Sequence, residues 1–312
     1  MYAVMRLLGV VLLWPGLAAA QADRPITMLS PFPNPGGGSG RVFAEVLGRE
    51  LGQPVVLMQR DGAAGMVGMR ALATSAPDGL TIAYTAMTPL VVQPHVVREL
   101  GYRAEAIPAI CNVAENMAGL VVRADSPLKT LADLVAAAKR GPVTYGSAGI
   151  NSLPHLGMAR LQALTGGEMV HVPHRGDPAA VTETYAGRID VAAVSVAAAS
   201  ALVGSGDLRI IAMMGRARHP EFPAVPTVTE QGVAMVQQSF AGLYAPPGTP
   251  QAVLDRYEAA CRRAADDPVY RRSAQVSGVV VTFMGGRELS AKVAEERRNA
   301  GLALHAMGVQ PQ

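Results

Sequence analysis

Twice along the chain a short apolar run gives way to a turn of small residues and then to an amphipathic helix. This repetition limits the available folds more than any other feature. ITMLS (Ile26–Ser30) leads through PFPNPGGGSG into a helical stretch over Arg41–Leu51; VTY (Val143–Tyr145) leads through GSAGINSLP into HLGMARLQAL. Such units place the turn at the carboxyl edge of a parallel sheet, where ligands bind in open α/β folds. Unpaired N–H groups and the positive helix end both face the turn, so an anion is the natural occupant.

The alternation continues in both directions. Pro54–Gln59 and Leu80–Tyr84 read as strands, DGAAG opens a helix over Met66–Ser75, and Leu120–Arg123 closes the first series. Thr130 caps LADLVAAAKR, which stops at Gly141. In the second series Met169–Val172, Ile189–Ser195 and Leu208–Met214 read as strands. RARHPEFPAVPTVTEQG reads as a proline-rich surface excursion ending in a short helix. Phe240–Ala245 is β-like, and helices follow over Gln251–Ala265 and Glu288–His305. The pattern predicts an α/β fold of two lobes: residues 23–123 with 241–312 form the first and 124–240 the second, with chain crossings near 124 and 240.

The N-terminus carries a different signature. Arg6 is followed by an apolar run from Leu7 to Leu17 and then by small residues, with cleavage sites after Ala20 or Ala22. Residues 1–22 are therefore expected to be an export signal, leaving a periplasmic protein. Only Cys111 and Cys261 are available for redox chemistry. In an oxidising compartment they could pair, or stand as two separate buried thiols. The formal net charge is +3, cations are scattered, and aromatics make up 4% of the residues, which argues against nucleic-acid binding.

Four chemistries suit small-residue turns. PGGGSGR lacks the Lys-Ser/Thr of a phosphate loop. Ser39, Ser147 and Ser195 do not sit in GxSxG, although an exported hydrolase using Ser147 with His155 or His174 stays open. His171 and His174 lie three apart across a proline with no carboxylate cluster, which speaks against a metal. Binding without chemistry remains. Main-chain N–H groups and hydroxyls can hold a carboxylate, and four or five such contacts suffice for a micromolar ligand, near −8 kcal/mol by the affinity scale.

The segment from Arg24 to Tyr84, then VTYGSAGINSLPHLGMARLQALTG, VHVPHRGDPAAVTETYAGRIDVA, FPAVPTVTEQG and FAGLYAPPGTP closely resemble the Bug/TctC family. Its members are extracytoplasmic solute-binding proteins of tripartite tricarboxylate transporters. The resemblance implies a two-lobed periplasmic binding protein of type II-like architecture that closes by a hinge over a small mono- or dicarboxylate. It further implies a monomer without cofactor that meets membrane transporter subunits transiently, or a sensor protein in a signalling role. Carried over by motif, the first-lobe contacts are Phe32, Asn34, Gly38, Ser39 and Thr85. The second-lobe contacts are Ser147, Asn151, Ser152, His155 and Pro173, His174, Arg175 and Gly176, with Asp190 and Ser195 near the cleft floor. Asn34 and Asp190 could equally bond their own turns.

Departures from the family pattern fall at Gly40, Ala193, Val194, the His174-Arg175-Gly176 turn and Phe240. They are expected to leave the distal end of the ligand less polar or larger than an amino-acid side group.

Overall fold

Ile26–Ser30 (β1) is buried at every position but Thr27, as a strand covered on both faces must be. In the computed structural model, which describes residues 24–32, 38–150, 152–306, 308, 309 and 311, this strand starts a single mixed sheet of ten strands. The expected export signal over 1–22 lies outside the described residues.

Helix α1 (Gly40–Leu51) buries Phe43, Ala44, Val46 and Leu47 and ends at Gly52, whose φ of 67° turns the chain and returns its N–H to Gly48 and Arg49. Then come β2 (Val55–Gln59), α2 (Met66–Ala73), β3 (Thr81–Ala86) and two one-turn helices, α3 (Thr88–Val91) and α4 (Gln93–Val96). Strands β2, β1 and β3 run parallel in that order.

Strand β4 (Ala109–Arg123) is 15 residues long, and the four expected at Leu120–Arg123 are only its end. Helix α5 (Leu131–Arg140) carries the anticipated cap. The Asp133 N–H donates to Thr130 Oγ1 at 3.1 Å, and the Thr130 N–H donates back to the Asp133 carboxylate at 2.9 Å. The second series is β5 (Val143–Ser147), α6 (Leu153–Thr165), β6 (Met169–Pro173), α7 (Asp177–Tyr185), β7 (Val191–Ser195), α8 (Val196–Gly204) and β8 (Leu208–Met213). Residues 216–232 form turns held by an Arg218–Glu230 ion pair, without the expected short helix. The chain closes with β9 (Gln238–Tyr244), α9 (Gln251–Asp266), α10 (Pro268–Val276), β10 (Met284–Gly285) and α11 (Gly286–Ala306).

The strand order β2-β1-β3-β9-β4-β7-β5-β6 shows how the halves join. Strand β9 lies antiparallel between β3 and β4. Over Ala109–Met117, β4 pairs with β9; from Ala118 to Arg123 it pairs with β7 and β8. The change of partner thus falls inside one continuous strand, at Met117/Ala118, ahead of the crossing expected near 124. Irregular registers at Asn112/Ala114 and Leu120/Val121 flank it.

One face of the first half packs Phe43 against Tyr84 and Tyr270, with ring centroids 5.4 and 5.0 Å away. A disulfide joins Cys111 of β4 to Cys261 of α9, closing the question that the sequence left open. The second half is filled by aliphatic and methionine side chains such as Leu134, Met158, Leu161 and Met214. A further cluster bridges the halves: Leu153 and Leu156 of α6 bury with Leu90, Val91 and Ala300. Among the described residues, no helix is long and apolar enough to cross a membrane.

Candidate functional site

A cavity of about 570 Å³ lies where the two halves face each other at the carboxyl ends of the parallel strands. The first half contributes Phe32, which follows β1, together with Ala64, Thr88 and Gln93. The Phe32 ring rests on Gly65, where a Cβ would sit 2.9 Å from the ring; the glycine's φ of 90° is a second reason for that residue. Its neighbours Ala63 and Ala64 hold φ values of 48° and 52°, a left-handed conformation that costs an L-residue about 1 kcal/mol or more.

The floor comes from the crossing strands. Asn116 and Ala118 on β4 and Ser239 on β9, with Gln237 just before it, line the cavity. Asn116 is the one partly exposed residue in the interior of β4. From the second half come Ala148, Ile150 and Ser152 of the turn after β5, the start of α6, Asp177 at the start of α7, and Ser195 with Ala197 at the start of α8. Ser277 completes the wall, and beside it a Cβ on Gly278 would approach the Ala197 Cβ to 2.4 Å. The halves therefore touch at that lip.

Of the residues expected in the site, Phe32, Ser152 and Ser195 line this cavity. Ser152 also caps α6, its hydroxyl accepting from the His155 N–H. Ser39 is buried at the start of α1, hydrogen-bonded to Tyr270, and Thr85 is buried in β3 with its hydroxyl donating to the Ala86 carbonyl at 3.1 Å. Gly38 is exposed at φ 105°. Asn34 and Asn151 lie outside the described residues.

Ser147 also stands behind the wall. It is fully buried, and its hydroxyl meets His171 Nε2 at 2.8 Å, Ser152 Oγ at 3.2 Å and the Gly149 carbonyl at 3.2 Å. Its imidazole partner is His171, not His155 or His174. His171 stacks on His155 at 4.0 Å and on Tyr145 at 5.0 Å, and burial lowers its pKa to about 4, so the ring is neutral at pH 7. Among the described residues no carboxylate orients that ring, and the Ser147 hydroxyl does not reach the cavity. Held this way, the Ser147 hydroxyl braces the turn through Gly149, Ser152 and His171.

His155 and His171 instead line a separate groove of about 670 Å³ against α11. Pro173 and Arg175 are exposed, Gly176 precedes α7 with φ 96°, and the His174 N–H donates to the Ser147 carbonyl at 3.1 Å. None of these four lines the cavity among the described residues. Asp190, expected near the cleft floor, is at the other end of the sheet. It stands before β7, exposed, and accepts from the Thr144 N–H and hydroxyl at 2.8 and 2.7 Å. Gly40, Ala193, Val194 and Phe240 are buried in the packing and do not line the cavity, so the expected less polar distal end loses its basis.

Asn116, Asp177, Gln237, Ser239 and Ser277 line the cavity without having been expected there. Asp177 had a local signal, an acid directly after the His-Arg-Gly turn; the others face the cavity only because distant segments pair.

Comparison with known proteins matches residues 40–309 to the model of the tripartite tricarboxylate transporter family receptor, TctC. The UPF0065 protein of the gbd 5' region of Cupriavidus necator is 32% identical over 307 residues, covering 94% of this chain and 93% of that protein. A ligand-free TctC solute-binding protein from Polaromonas superposes with a TM-score of 0.82 at 27% identity, over 91% of this chain and 98% of that one. R. palustris Rpa4515, solved with adipate, gives 0.78 at 23% identity, over 96% and 100%. The sheet, the turns at its carboxyl edge and these matches together place the chain in the Bug/TctC family of tripartite tricarboxylate transporter receptors, which are periplasmic solute-binding proteins.

Proposed function

We propose that this protein captures a small organic carboxylate in the cavity between its halves and delivers it to a tripartite tricarboxylate-type membrane transporter, without catalysing a reaction. The observation that carries this reading is the cavity itself. It sits at the carboxyl ends of the strands of both halves, and amides, hydroxyls and turn backbone supply most of its polar wall. Such donors, fixed before the ligand arrives, hold a carboxylate without a cationic side chain. The adipate in the R. palustris relative supports the ligand class.

In this reading the crossing strands β4 and β9 act as the hinge, the first lobe gives way to the second at Met117/Ala118 rather than near 124, and residues 1–22 are removed on export. The halves already meet where Ala197 faces Gly278, and further closing of the two turns would shield the ligand from water.

The test is calorimetric titration of the folded protein with mono- and dicarboxylates of two to eight carbons. A micromolar dissociation constant for at least one acid, with a rise in Tm, is the expected result. A folded protein, stripped of co-purifying solute, that binds none of them overturns the proposal.

A further inference from the structure

Among the described residues lining the cavity, Asp177 alone carries an ionisable side chain. The undescribed residues of the two turns add no charge, since positions 33–37 and 151 are Pro, Asn, Pro, Gly, Gly and Asn. Asp177 opens α7, and its Oδ2 accepts the Ser195 N–H at 2.9 Å, tying α7 to the start of α8. Its Oδ1 is buried with no partner among the described residues. Burial raises its pKa, opposed only by the Ser195 N–H, with no cation contributing.

A solute carrying only negative charge would bring an anion beside a carboxyl whose ionised form burial already disfavours, with no positive side chain between them. A solute hydroxyl could satisfy Oδ1 but would leave that charge conflict in place. A protonated amine removes both costs at once.

We infer that Asp177 is a specificity-determining residue and that the solute is an amino carboxylate, its carboxylate held by the turn donors and its ammonium by the free Asp177 oxygen. This rests on the carboxylate-binding reading above and narrows it. Asp177 also has a plain structural duty, the bond to Ser195, so the test must separate charge from fold. Asp177→Asn keeps an oxygen for the Ser195 N–H, removes the charge and turns the second oxygen into an NH2 donor; Asp177→Ser is the second variant, each checked by Tm.

The probes are pairs matched in chain length, 4-aminobutyrate against glutarate and 5-aminopentanoate against adipate, together with the common α-amino acids and the dicarboxylates of three to eight carbons. Wild type is expected to bind its best amino carboxylate at least tenfold tighter than any dicarboxylate. Asp177→Asn should lose tenfold or more for the amino carboxylate and nothing for the dicarboxylates. Wild-type binding that is equal or tighter for a dicarboxylate overturns the inference and leaves the carboxylate reading standing, whatever the variants do. An unchanged preference in a folded Asp177→Asn or Asp177→Ser protein overturns it as well. Silence of the folded wild type toward both classes overturns both.

Discussion

The two halves share a plan and differ in how they are held. Each has three parallel strands, β2-β1-β3 in one and β7-β5-β6 in the other, bordered by a long antiparallel neighbour from the crossing pair. The first half is locked by an aromatic trio, Phe43, Tyr84 and Tyr270, and by the Cys111–Cys261 bond. The second relies on leucine, valine and methionine, with Tyr145 as the aromatic of its core. Flat, bulky rings fix one arrangement, whereas unbranched thioethers fill irregular gaps and repack at low cost. The contrast describes a stiff platform and a more adaptable jaw, and it is the jaw that supplies Ile150, Ser152, Asp177 and Ser195 to the cavity.

Three experiments break or sharpen this contrast. Phe43 is fully buried between two rings, so Phe43→Ala is expected to cost about 3–5 kcal/mol in denaturant unfolding. A cost under 1 kcal/mol would mean that the aromatic trio is not what locks the platform.

The disulfide comes next. It closes a separation of 150 residues, and its loss in a Cys111→Ser/Cys261→Ser protein should cost about 2–4 kcal/mol. Melting curves that coincide for the oxidised and cysteine-free proteins would remove the stapled half of the comparison.

The smallest effect belongs to the jaw. His171 has its pKa lowered to about 4 from 6.5, chiefly by burial. The unfolded chain takes up that proton first, so this residue's contribution to stability is present at neutral pH and is lost as pH falls from about 6.5 to about 4. The ring is partly exposed, and screening reduces the size of the effect. His171→Gln should flatten that part of the pH–stability curve relative to wild type; identical slopes would show that the ring does not titrate in this way.

How much of this was legible in the sequence follows from how local each feature is. The parallel strands and both turns could be read because apolar runs, small residues and helical spacing sit side by side. So could the Thr130 cap, since its partner is three residues away. Strand β4 was recovered only at its end, because AICNVAENMAG mixes polar and small residues that make sense only once β9 and β10 pair with it. The site was read less well for the same reason. Serines next to glycines suggested direct contact, yet Ser39 and Ser147 turn inward to Tyr270 and His171, leaving the exposed edge of the wall to their neighbours. Asp190 was carried over as a site residue by the family motif, but it stands at the amino end of its strand rather than the carboxyl end, bonded to Thr144.

Asn116 sits one residue before β4 changes partners, in the wall of the cavity. On the proposed hinge, pivot and grip are the same stretch of backbone. Selection for a new solute at this position would then alter how far the molecule swings, and selection for faster release would alter what it tastes. A lineage exploring new nutrients would shift both traits together, and variants sorted only by affinity would be expected to differ in opening rate as well.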